Sequence, residues 1–226
     1  MAIVCLEANY LLLEAALRLV LMSFLSLDGV YQGPGAPDED QSDGFDRGGW
    51  LVPFADARFE KTADEWTATA TGFLFGRRTY EAFSSVWPTI TDPTDSNAAR
   101  LNGLPKFVVT STQIDTSWGP VTVIGDQVEA RLASMKLHQG GELQIHGSGT
   151  LGRSLLAMGL VDELRIVTAP VVVGQGHKLF GDTGISIGFE LLSQEQTPSG
   201  LTITRFAYTG DAATGEYKRG ETNVAS

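Results

Sequence analysis

Apolar and polar positions fall into blocks that change period along the chain. Leu19 to Leu25 is an almost unbroken apolar run, the pattern of a strand covered on both faces. The next stretch, "SLDGVYQGPGAPDEDQSDGFDRGGW", is rich in Gly, Pro and Asp and predicts a long irregular loop. Phe59, Ala63, Trp66 and Ala70 then recur at helical spacing up to Gly72. Phe73 to Phe75 read as a short buried strand, and Gly76 as the turn into a helix from Arg78 to Ser84, with Tyr80 and Phe83 on one side. "KFVVTST" (106–112) and "PVTVI" predict two more strands, followed by an amphipathic helix from Asp126 to about Leu137. "ELQIHGSGTLGRSLLAMGLVDELRIVTAPVVVG" gives strand, glycine-rich turn, helix and strand. "FELLSQEQTPSGLTITRFAYTG" reads as a hairpin turning at Pro198-Ser199-Gly200.

The sum is an α/β domain whose early strands alternate with helices and whose end is antiparallel. A simple dinucleotide fold is disfavoured. Its G-x-G-x-x-G should follow the first strand, where the chain has Ser26-Leu27-Asp28-Gly29. The domain is expected over residues 19–209, preceded by an atypical extension at 1–18 and followed by a loose polar tail at 210–226. The N-terminal stretch is apolar, but Glu7, Glu14 and Arg18 interrupt it, so it predicts neither a spanning helix nor a signal peptide. Its apolar face could cover a neighbouring surface or a partner chain.

Composition narrows the partners. The chain has 226 residues, 42% of them apolar, enough for one sizeable core. Its net charge of −11 argues against nucleic acid or an anionic membrane as partner. Cys5 is the only cysteine, which excludes an internal disulfide and fits a reducing, cytoplasmic setting. His138, His146 and His177 lack metal-ligand spacing, so no metal is expected. Trp50, Trp66 and Trp87 are read as core rather than as stacking platforms.

Against this acidic background, Arg77 and Arg78 stand where a strand hands over to a helix. Solvated charge at a loop would explain them. So would an anion site, because a helix N-terminus offers unpaired N–H groups and a positive dipole end.

Four pieces in order carry a family resemblance: "FLSLDGV", "GRRTYE", "HGSGTLGRSLLAMGLVDEL" and "PVVVGQGHKLF". Together they resemble dihydrofolate-reductase-like proteins, in particular the branch containing the reductase domain of the bacterial riboflavin-biosynthesis deaminase–reductase. The resemblance implies a mixed, mostly parallel sheet flanked by helices, an extended NADPH, and a homodimer. It places Gly76, Arg77, Arg78 and Thr79 at the pyrophosphate and 2′-phosphate. Thr110, Ser111 and Thr112 would line the adenosine-phosphate pocket. Gly147, Ser148, Gly149, Thr150 and Leu151 would form the turn under the pyrophosphate, and Phe24, Ser26, Asp28 and Gly29 would lie beside the nicotinamide. His146 departs from the pattern, standing where relatives often have glycine.

Folate-reducing relatives carry a proton-promoting carboxylate on the helix before the Gly-Arg turn. Glu60, 76 − 60 = 16 residues before Gly76, is the candidate, with Asp64 one turn on. Both also fit the solvated face of that helix. The implied reaction is hydride transfer to a small heterocycle: an aminopyrimidine such as 5-amino-6-(5-phosphoribosylamino)uracil, or a pterin such as dihydrofolate. The acidic loop at 28–50 is expected to close over the substrate. A non-catalytic NADPH- or ligand-binding protein, or a dimeric interaction protein on the same fold, is the alternative.

Overall fold

A computed structural model describes residues 16–138, 140–181, 184 and 186–216. The expected extension lies outside the described residues up to position 15, and the expected tail from 217 onward. Eight strands form one sheet: β1 (Leu17–Ser26), β2 (Gly72–Gly76), β3 (Lys106–Val109), β4 (Val121–Ile124), β5 (Gly141–His146), β6 (Glu163–Ala169), β7 (Gly188–Gln196) and β8 (Thr202–Gly210). Their order is β4-β3-β2-β5-β1-β6-β8-β7. Every pairing from β4 across to β6 is parallel, and β8 runs antiparallel to both β6 and β7. The fold is therefore the mixed, mostly parallel sheet with an antiparallel C-terminal hairpin.

Among the described residues, five α-helices connect the strands: α1 (Ala57–Ala68), α2 (Arg77–Val86), α3 (Ser96–Gly103), α4 (Val128–His138) and α5 (Gly149–Ala157). Alternation within β1 shows how they are arranged. Leu17, Leu19, Leu21 and Leu25 pack with Leu132 of α4 and Leu151 and Leu155 of α5. Val20 and Met22 point the other way, toward Trp66 of α1. Tyr80 of α2 and Leu101 of α3 cover the same α1 side further along, over Phe73, Phe75 and Val108. Covering on both faces explains why β1 shows no period-2 alternation in sequence.

Local chemistry starts the helices. The Asp56 carboxylate accepts the Phe59 N–H at 2.9 Å and caps α1. Asp95 does the same for α3, accepting from Ala98 N–H at 2.8 Å. Helix α3 has no counterpart in the sequence reading. Conversely, Pro170 to Gly174 was expected to prolong a strand but leaves the sheet after Ala169, since proline has no N–H to give the ladder.

The α1 face of the central strands is partly polar. Arg165 holds Glu142 through two bonds of 3.0 and 2.8 Å and donates from Nε to Glu163 at 2.8 Å. Arg205 reaches the same Glu163 oxygen at 2.7 Å, and Arg18 pairs with its other oxygen. Burial would raise the Glu163 pKa, but hydrogen bonds from Arg205 and Arg165 outweigh it and hold it at about 2.

Candidate functional site

Parallel strands end on one edge, and the C-termini of β1, β2, β3 and β5 bring their following turns together there. A cavity of about 550 Å3 opens at this edge on the α1 side of the sheet. Its floor is Met22 and Phe24 of β1, His146 of β5 and Val167 of β6. Phe59, Ala63 and Trp66 of α1 form one wall, and Arg78, Thr79 and Phe83 of α2 another. Trp87 and Leu101 close the far end, while Tyr31 to Pro34, Glu39 and Asp40 close the near one. Flat aromatic surfaces with a few polar groups suit a planar ligand.

The two glycine-bearing turns are tied to each other. Ser148 Oγ accepts the Gly76 N–H at 3.0 Å and donates to Thr79 Oγ1 at 2.8 Å. Gly147 and Ser148 both adopt the left-handed conformation, with φ of 54° and 50°. For a serine this is strained backbone, and the pair of bonds to Gly76 and Thr79 holds it there. No side chain caps the N-terminus of α5 at Ser148. The chain passes from β2 into α2 at Gly76, as expected, but with φ of −76° it does so in a conformation open to any residue.

Of the two arginines, only Arg78 lines the cavity. Arg77 pairs with Glu81 at 3.1 Å on the exposed face of α2. Among the described residues the Arg78 guanidinium has neither an ion pair nor a side-chain hydrogen bond. A charged fork that faces the cavity and pairs with none of the carboxylates on its wall, Glu39, Asp40 and Glu81, is suited to an incoming anion.

The structure brings Phe24, Arg78, Thr79, Gly147 and Ser148 to the cavity wall. It does not bring Ser26, Asp28 and Gly29 there. They form the turn leaving β1: Asp28 accepts from Ser26 Oγ at 2.7 Å and from the N–H groups of Val173 and Gly174 at 3.0 Å each. The Ser26 bond leads the effects that bring the Asp28 pKa down to about 2. Gly29 has φ of 80°, which the turn requires.

Thr110, Ser111 and Thr112 follow β3 on the same edge but away from the cavity, with the Thr110 and Thr112 hydroxyls 3.1 Å apart. Thr150 and Leu151 lie in α5, Leu151 within the opposite core. Gly149 meets Tyr31 instead of open space: a Cβ there would stand 2.1 Å from Tyr31 Cζ. Glu60 is exposed and is not on the cavity wall, because the α1 face turned inward carries Phe59, Thr62, Ala63 and Trp66. Asp64 accepts from Asn97 Nδ2 at 2.6 Å and so joins α1 to α3.

Sequence reasoning missed Tyr31, Phe83, Asn97 and His146 as wall residues, and took Trp66 and Trp87 as core. Trp66 serves both, being buried and on the wall; Trp87 is half-buried and also lines the cavity. The available signal was the Phe59–Ala63–Trp66 stripe, whose period is that of any inward helix face. The loop from 28 to 50 is anchored, with Phe45 and Trp50 buried and Trp50 Nε1 donating to the Gln32 carbonyl at 2.8 Å.

Sheet order, hairpin and edge cavity define a dihydrofolate-reductase-like α/β protein. Residues 18–203 match the model of the RibD C-terminal domain. The chain belongs to that family. The uncharacterized protein YyaP of Bacillus subtilis (strain 168) is 23% identical over 195 residues, which is 85% of this chain and 96% of YyaP. Solved structures of similar fold include a Shewanella sp. PV-4 protein named for riboflavin biosynthesis, with a TM-score of 0.60 and 22% identity over 85% of this chain and 99% of that one. Dihydrofolate reductase from Enterococcus faecalis, solved with NADP(H), has a TM-score of 0.53 and 16% identity over 84% of this chain and 96% of its own.

Proposed function

We propose that the chain is an NADPH-dependent reductase of a small heterocycle, an aminopyrimidine of the riboflavin-type reaction first and a pterin second. The observation that carries this reading is Arg78, unpaired on the wall of an aromatic cavity in a RibD-type fold. The residues present fit the dinucleotide: Arg78 offers charge, Thr79 and Ser148 offer hydroxyls, and Gly147 leaves backbone accessible, with only Thr79 within 4 Å of a Cβ there. When bound, NADPH supplies the hydride. The chain's part is to orient and to exclude water. Phe24, Phe59, Trp66 and Phe83 present flat apolar surface to a ring, and the anchored loop at Tyr31 to Pro34 shields one end. No carboxylate of α1 lines the cavity, which removes Glu60 as the proton source in this reading; the carboxylates on the wall are Glu39, Asp40 and Glu81.

Titration calorimetry tests it. Losing one charge-assisted contact in Arg78→Ala should weaken NADPH by about 1.5–3 kcal/mol, roughly 10- to 150-fold, with a smaller effect on NADH. Arg77→Ala should change neither. An unchanged NADPH/NADH ratio in Arg78→Ala would remove the phosphate assignment, and no nucleotide binding at all would end the enzyme reading in favour of a ligand-binding or interaction protein. The same proposal includes a homodimer. It is supported by the outer strand β7, whose Leu191 and Leu192 are 53% and 47% exposed. Light scattering that finds only a 24.2 kDa species would count against it.

A further inference from the structure

His146 stands where relatives of the resembled branch often have glycine, and its surroundings settle which of its nitrogens bears hydrogen. Gln144, fully buried, donates from Nε2 to the Trp66 carbonyl at 2.6 Å and to Glu142 Oε1 at 2.5 Å. Both partners are acceptors, and Glu142 is itself held by Arg165. A flipped amide would set oxygen against oxygen twice, so the Gln144 orientation is determined. Its Oε1 therefore faces His146 Nε2, 3.0 Å away. An amide oxygen only accepts, so Nε2 must carry the hydrogen. Burial, with Arg165 adding and Glu142 opposing, brings the imidazole pKa down to about 4. The ring is neutral at pH 7, and Nδ1 carries a bare lone pair.

The ring is also clamped. Phe73 meets it edge-on at 5.4 Å and Phe83 at 6.3 Å. Among the described residues, the one buried side-chain polar atom without a partner is Asn97 Oδ1. His146 Nδ1, which has no hydrogen-bond partner among the described residues and is not among the buried unpartnered atoms, thus reaches the cavity that the residue lines.

We propose that His146 is a specificity-determining residue: a neutral, orientation-locked hydrogen-bond acceptor on the cavity floor that selects substrates bearing an amino group at that point. The proposal rests on reading the cavity as the substrate site. It requires Gln144 and Glu142 as positioning residues, because a tautomer with hydrogen on Nδ1 would present a donor and select the opposite chemistry. Glycine at this place could offer no side-chain acceptor.

Two measurements test it. Nitrogen NMR of histidine-labelled protein at neutral pH should show His146 with hydrogen on Nε2 and none on Nδ1; hydrogen on Nδ1, or an imidazolium, would overturn the proposal. Ligand-observed NMR should then find 4-aminopyrimidine bound about 3- to 10-fold more tightly than 4-methylpyrimidine, of nearly equal size. His146→Phe keeps an aromatic ring between Phe73 and Phe83 and should abolish that preference while both probes still bind. A residue with a merely structural role would weaken both probes alike, and a preference retained in His146→Phe would refute the assignment. Protein that shows the amino preference but binds no NADPH would sink the reductase reading and still support this role for His146.

Discussion

Gly149 has two competing explanations, and one experiment separates them. The resemblance makes it a place where a pyrophosphate approaches the backbone. The structure puts the Tyr31 ring against it: a Cβ would stand 2.1 Å from Cζ, 2.3 Å from Cε1 and 2.6 Å from the hydroxyl. Carbon atoms in contact normally sit about 3.5–4.0 Å apart, so the ring would have to retreat by well over an ångström. Its backbone is fixed, with Tyr31 N–H donating to the His177 carbonyl at 2.9 Å. Gly149→Ala is thus an overpacking change costing about 1–3 kcal/mol, against at most about 1 kcal/mol regained in helix propensity. Urea denaturation should show this loss in the otherwise native protein and none in a Tyr31→Ala background, a coupling energy equal to the loss itself. NADPH titration of the double variant then reads the other explanation. Binding restored along with stability assigns the glycine to Tyr31 alone, whereas a stable double variant that fails to bind assigns it to phosphate as well. Equal destabilisation by Gly149→Ala in both backgrounds would refute the steric argument.

Three further outcomes are expected. Glu163 has its pKa brought from 4.5 to about 2 in the folded protein; a depressed carboxylate stabilises above its unfolded value and loses that contribution as pH falls through the folded one. Acid unfolding should therefore show about 3 kcal/mol of stability disappearing between pH 4.5 and 2, and Glu163→Gln should remove that part of the slope. Glu60→Gln should leave turnover unchanged, because the side chain is exposed outside the cavity; a drop of about 100-fold would restore it as proton promoter. Phe83→Ala, which removes a ring from the cavity wall and from the edge of His146, should weaken 4-aminopyrimidine more than NADPH, read by NMR and calorimetry.

The sheet was legible because its central strands announce themselves as apolar runs and its hairpin carries Pro198-Ser199-Gly200 between two alternating strands. Helix α3 was not, since eight residues with a single capping Asp95 give too short a period to read. The two turns that meet at the cavity edge were legible from Gly76, Gly147 and Arg78. The rest of the cavity was not, for a tertiary reason. Tyr31, Phe83 with Trp87, and His146 come from three separate segments, and each has the local pattern of an ordinary core residue. Only the gap left between α1, α2 and α3 makes them a wall. Glu60 shows the converse: distance along the chain placed it well, and one residue of helical phase turned it outward.

The strand order also has a consequence for how this chain is made. β1 is the earliest of the strands, yet its neighbours are β5 and β6, and Leu17 pairs with Gly141, 141 − 17 = 124 residues downstream. At a synthesis rate of about 5–20 residues per second, those partners follow roughly 6–25 s after β1 leaves the ribosome. Through that interval "LRLVLMSFLS" has two unpaired edges and two apolar faces. Neither hairpin closure nor a local helix can shelter it, because the strand that would zip against it has not been translated. A trigger for misassembly is thus built into the topology that places β1 at the centre of the finished sheet, and yields in cells should rise when a holding chaperone is supplied or translation is quickened between β1 and β5.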